Sequence, residues 1–148
     1  MSNNGRYAEG TSVPEYQSQM ELQRVIARFG ADQYVYGEGP GMVQVGFRAR
    51  NRLVRFYLPM PVKSSRYGDP YNTLTGVERE RRRRWRCLIL LVKGKLTAVE
   101  DGIASFDTEF LPHMVTPNGR TIGEELVPQL DAMMASGRVP ALMPGIPE

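Results

Sequence analysis

The 148-residue sequence predicts an α+β fold: an N-terminal helix, a three-stranded antiparallel sheet, a long basic and amphipathic helix packed on that sheet, and a C-terminal helix. Three observations carry this reading. Apolar residues recur at helical spacing through Leu22, Val25, Ile26 and Phe29, then at every second position from Tyr34 to Leu58. From Trp85 onward they return to alternating spacings of four and three.

The first helix is expected over about 18–29. Ser18 followed by Glu21 forms a capping-box pattern, and Gly30 supplies the left-handed residue that ends a helix. Three strands follow, carrying Tyr34 and Tyr36, then Val43, Val45 and Phe47, then Val54, Phe56 and Leu58. "GEGPG" reads as the first turn and "ARNR" as the second, where Asn51 tolerates positive φ. Pro59 and Pro61 stop the third strand. With the alternating apolar set facing inward, Gln44, Gly46, Arg48, Arg55 and Tyr57 share the outer face.

Residues 62–76 lack periodicity and read as an exposed loop. The long helix is expected over about 77–104, with Trp85, Ile89, Val92, Leu96, Val99 and Ile103 as its buried stripe and Gly94 as an internal weak point. A last helix, capped by Thr121 with Glu124, would carry Ile122, Leu126, Leu130 and Met133, with its methionines filling core gaps. Residues 1–13 read as a disordered lead-in, 14–138 as a single domain and 139–148 as a proline-rich tail.

The net charge is only +3, yet the stretch from Arg48 to Lys95 holds fourteen basic residues against Asp69, Glu78 and Glu80. Six arginines fall within Arg79–Arg86. Like charges at i+3 and i+4 repel, and cations at a helix N-terminus oppose its dipole, so a merely solubilising face is poorly served by this placement. With Trp85 at the centre of the buried stripe, Arg79, Arg82, Arg86 and Lys93 fall on one flank, and Arg84 and Lys95 on the other. The strand residues Arg48, Arg55 and Tyr57 offer phosphate partners beside an aromatic ring on which a base could stack. Arg48, Arg55, Tyr57, Arg79, Arg82, Arg86 and Lys93 are therefore the candidate nucleic-acid-binding residues.

Catalytic patterns are weak. The single histidine, His113, lies near Asp107 and Glu109, but Pro112 works against the helical turn that would bring Glu109 to it. No phosphate-loop, paired-cysteine or nucleophile-elbow pattern occurs, so no catalytic residue, metal or other cofactor is expected. Cys87, beside Leu88, Ile89 and Leu90, reads as a small buried hydrophobe. The N-terminus lacks the apolar run of a signal peptide and no segment has membrane-spanning length, which predicts a soluble protein of the host-cell cytoplasm with no membrane partner.

The stretches "RFGADQYVYG", "VGFRARNRLVRFYLPMP", "RWRCLILLVKGKLTAVEDGIASFDTEFLPHMV" and "PNGRTIGEELVPQL" resemble a family of small proteins encoded by tailed phages and prophages, over about residues 13–145. That resemblance implies a phage origin and supplies no catalytic residues. In element order the chain also resembles single-strand annealing recombinases, which implies a subunit whose basic strand and helix residues line a groove for single-stranded DNA. The candidate residues here come from charge placement alone. Two expectations result. One is a non-enzymatic protein that binds single-stranded nucleic acid, DNA favoured, and anneals strands in recombination or replication; a homo-oligomer is compatible with it. The other is an interaction module whose basic surface binds an acidic host factor.

Overall fold

In the computed structural model, which describes residues 5–138, an antiparallel sheet lies under two helices. Helix α1 spans Glu15–Phe29 and starts before the expected Ser18 cap. Pro14 stands at its entrance in an extended conformation without any side-chain cap, where the missing proline N–H costs nothing because it would be unsatisfied anyway. Ser18 is instead a buried residue of the first turns, its N–H bonded to the Pro14 carbonyl at 3.3 Å. Gly30, at φ 113°, ends the helix as anticipated.

Strands β1 (Gln33–Gly39), β2 (Met42–Ala49) and β3 (Arg52–Pro59) form the sheet in that order, joined by two-residue loops. Val45 pairs with Phe56 and Phe47 with Val54, so one face collects the apolar set that the alternation marked out. In the second loop both Arg50 and Asn51 are left-handed, the conformation that matches the twist of a two-residue hairpin. The sequence pointed to Asn51 alone. Arg50 accepts this backbone while its guanidinium lies over the Phe29 ring at 4.8 Å and the Phe106 ring at 5.5 Å.

Helix α2 spans Leu74–Glu100, capped by the Thr73 hydroxyl, which accepts from the Gly76 N–H at 3.1 Å. It therefore starts and stops a few residues earlier than its apolar period suggests. Ile103 falls beyond its end and is exposed, so the buried stripe runs through Trp85, Leu88, Ile89, Val92 and Leu96. These side chains meet Leu22 and Ile26 of α1 and the inner face of the sheet in one core. Trp85 is fully buried, with the Tyr36 ring 5.8 Å away. Gly94 is tolerated on the solvent side, where a Cβ would meet nothing within 4 Å.

Short elements close the core: α3 (Phe106–Phe110), a 3₁₀ turn at Leu111–His113, and α4 (Ile122–Leu126). Phe110 meets Phe47 edge-on at 6.0 Å. Thr121 caps α4 by accepting from the Glu124 N–H at 3.1 Å, as the sequence indicated. The expected single last helix is broken, however, by a 3₁₀ turn at Val127–Gln129 before α5 (Leu130–Met134), because Pro128 lacks the N–H that would continue it. Leu126, Leu130, Met133 and Met134 consequently lie exposed and do not fill core gaps.

Residues 5–13, expected as a disordered lead-in, run against α2, with Arg6 reaching Glu80 and the Thr11 carbonyl accepting from Arg82. Charge pairing supplies an order that apolar periodicity could not reveal. The proline-rich tail over 139–148 lies outside the described residues. Replacing Trp85 with Ala is expected to lower unfolding free energy by about 3–5 kcal/mol in urea denaturation; a loss below about 1 kcal/mol would show that the stripe is not core.

Candidate nucleic-acid interface

The arginine run fills the second to fourth turns of α2, where six like charges crowd one another, and the chain answers with carboxylates. Glu80 is buried, its side chain 3% exposed, and takes Arg83, Arg6 at 3.2 Å and the Tyr71 hydroxyl at 3.3 Å. Burial pushes its carboxyl up, but the Arg83 hydrogen bond and the charges of Arg83, Arg6 and Arg84 outweigh this and hold it below its ordinary value of 4.5. Arg81 pairs with Glu15 at 3.0 Å and with Glu38 of β1, and Glu15 also accepts from the Trp85 indole N–H at 3.1 Å. Arg84 donates to the Pro59 carbonyl at 2.8 Å.

The same geometry governs the nominated helix residues. The two flanks assigned around Trp85 are real: Arg86 and Lys93 both reach Glu21 of α1, at 2.6 and 2.7 Å, while Arg84 and Lys95 turn the other way. Arg86, expected to be exposed, is half-buried and also donates to the Ser18 hydroxyl at 3.3 Å. Arg82 is half-buried against Thr11, and Arg79 alone among the nominated helix cations is exposed with no ion pair among the described residues.

On the sheet, Arg48 grips Asp32 through two hydrogen bonds of 3.0 and 2.6 Å, and Arg55 donates to the Gly119 carbonyl at 2.8 Å and the Tyr57 hydroxyl at 3.2 Å. Register places Arg48, Arg55 and Tyr57 on the outer face, across the sheet from the helices. Strand and helix candidates therefore lie on opposite sides of the molecule and line no shared groove. That correction follows from the alternation itself, since the inner face is fully used by the core.

A basic groove does form between α1 and α2. It encloses about 540 Å³ and is lined by Arg24, Arg28, Arg86 and Lys93 with Glu21 as its one carboxylate. Arg24 and Arg28 sit four apart on the polar side of α1 and have no ion pair among the described residues. Sequence reasoning missed them by confining attention to the dense block from Arg48 onward, although their i, i+4 spacing beside the apolar stripe was visible. A larger cavity of about 650 Å³ lies between α1, β1 and the start of α2, but Glu15, Glu38 and Glu78 offset Arg81 and Arg82 there.

His113 lines neither of these two cavities. Its ring stacks on Phe56 at 4.2 Å, and Glu109 pairs with Lys95 at 3.1 Å. Burial, then the Lys95 charge, hold the imidazole below its ordinary value of 6.5. Among the described residues no group of three or more His, Cys, Asp or Glu side chains is placed to hold a metal ion, and no helix is long and apolar enough to cross a membrane. Cys87 is half-buried beside Arg83 rather than in the core. Compared with models of known protein families, with curated proteins and with solved structures, the chain matches none.

The hydrogen bonds from Arg86 and then Lys93 lower the Glu21 carboxyl from 4.5 to about 2. A carboxyl depressed in the folded state contributes stability above its unfolded value and loses it as pH falls toward the folded one. Acid titration of unfolding free energy should therefore show the parent losing on the order of 1 kcal/mol more than Glu21→Gln, after solvent screening, between pH 4.5 and about 2. Identical acid limbs would mean that the pairing is not formed in solution.

Proposed function

We propose that this protein is a non-enzymatic binder of single-stranded nucleic acid, DNA favoured, and that the phosphate backbone lies in the groove between α1 and α2. The observation that carries this reading is the charge of that groove, four cations against Glu21 alone. Arg24 and Arg28 supply charge that no carboxylate of the described chain neutralises, while Arg86 and Lys93 share a single partner. Packed helix axes lie about 8–10 Å apart, so the trough between them suits an extended strand better than a duplex. No aromatic ring lines the groove, which makes recognition a matter of phosphate and leaves base identity unread. Tyr57, on the outer face of the sheet, is too far round the molecule to serve as a stacking platform for the same strand. Strand annealing during phage recombination or replication, in the host cytoplasm, is the task proposed for this binding.

Anisotropy titrations with labelled single strands provide the test. With Glu21 offsetting one of the four cations, about three phosphates are neutralised and the slope of log K against log salt should be about −2.1, at about −0.7 per phosphate. Arg24→Glu with Arg28→Glu should abolish binding to all sequences alike and leave the melting temperature nearly unchanged, since neither side chain has an ion pair to lose among the described residues. Absence of binding by the parent at low salt, or unaltered binding by the double variant, would overturn the proposal and favour an acidic protein partner for the basic surface.

A further inference from the structure

The two edges of the sheet are treated differently. The β3 edge is covered at its start, where Met114 bridges to Val54 and the Val115 N–H donates to the Leu53 carbonyl at 2.8 Å. Nothing among the described residues pairs with the other edge, β1. In a two-residue hairpin the residues flanking the loop form a hydrogen-bonded pair, here Gly39 and Met42, and bonding alternates from there. Gln33, Val35 and Gly37 therefore bond toward β2, and the N–H and C=O groups of Tyr34, Tyr36 and Glu38 point outward along an open edge.

Natural proteins blunt such an edge with charge, proline or a bulge that twists it away. This edge carries none of these between Gln33 and Gly37. Asp32 and Glu38, which bracket it, are each held by an arginine of the same chain, Arg48 and Arg81. The residues beside it are neutral and large: Val35 is 62% exposed, Tyr36 40%, and from α1 Tyr16 is 62% and Met20 54% exposed. Tyrosine and methionine enriched where charge is depleted is the composition of an interface core. Unpaired charge begins only at the rim of this surface, where Glu78 and Arg82 of α2 line the cavity that Tyr16 and Tyr36 also line.

From this geometry we infer that β1 is the contact between two copies of this chain, paired antiparallel about a two-fold axis near Tyr36, so that two three-stranded sheets become one of six. A two-fold contact sets each group near the axis against its own copy, so any unpaired charge there would meet a like charge. A neutral edge satisfies that condition, whereas an edge built for an acidic or basic partner would show the opposite sign. A two-fold contact uses the β1 edge of both copies at once, and the bridge to Met114 blocks the start of the β3 edge, so pairing closes at the dimer. This inference is independent of the α1–α2 groove, which faces away from the edge.

The test combines sedimentation equilibrium with amide hydrogen exchange on the full chain and on Val35→Lys. Val35 is exposed and lies outside the core, so the variant is expected to fold, and circular dichroism checks that it does. The parent should sediment at twice its 16.7 kDa chain mass, with the amides of Tyr34, Tyr36 and Glu38 slowed by about tenfold or more relative to the variant. The variant should sediment as a single chain. A monomeric parent, or a dimer that survives the substitution with those three amides exchanging fast, would overturn the inference.

Discussion

Six arginines in the second to fourth turns of α2 repel one another, and the structure depends on the carboxylates that meet them. Glu80 does so from within the run, buried under Arg6 and Tyr71. Glu15 and Glu21 do so from α1, and Glu38 from the end of β1. Apart from Glu80 with Arg83, which lies within α2, these pairs join α2 to other elements, so neutralising the run also fastens the N-terminal segment, the first helix and the first strand around it. A buried carboxylate with several cationic partners adds little net stability compared with an apolar replacement, yet removing it strands its partners. The pairs thus act mainly to fix which surfaces meet.

This arrangement changes the meaning of the basic block. As a count of residues, the stretch from Arg48 to Lys95 looks like a surface for polyanions. In three dimensions much of it is committed: Arg48 to Asp32, Arg81 to Glu15 and Glu38, Arg83 to Glu80, Arg86 to Glu21. Among the described residues the exposed cations without an ion pair include Lys63, Arg66 and Arg79 of the block, and Arg24 and Arg28 outside it; of these, Arg24 and Arg28 line the α1–α2 groove. The groove they help to form and the uncharged β1 edge are thus two consequences of one internal accounting of charge.

Elements set by local pattern were legible in the sequence. The two-residue period fixed all three strands and their inner face, and the four-three spacing placed Trp85 at the centre of the α2 stripe. Gly30 and Thr121 were read correctly as helix stop and helix cap because each acts on its own neighbours. Partners distant in sequence were not legible. Nothing about Glu21 alone reveals that Arg86, 65 positions away, will occupy it, and the capping-box pattern of Ser18 and Glu21 was overridden by that pairing and by Pro14. The break at Pro128 and the left-handed Arg50 were visible as residue types, but the first was underweighted against apolar periodicity and the second depends on the Phe29 and Phe106 rings that receive it. The basic groove escaped for a related reason: it is made by two helices side by side, and its α1 half lies outside the densest run of charge.

The most direct measurement of the central claim compares unfolding free energies of Glu80→Ala and Glu78→Ala by chemical denaturation. The two glutamates lie two positions apart on one helix, one enclosed by cations and the other exposed without an ion pair among the described residues. If buried carboxylates hold the arginine run in place, Glu80→Ala should cost about 3–5 kcal/mol and Glu78→Ala no more than about 0.5 kcal/mol. Equal and small losses would contradict the account, since the run would then fold without its internal partner.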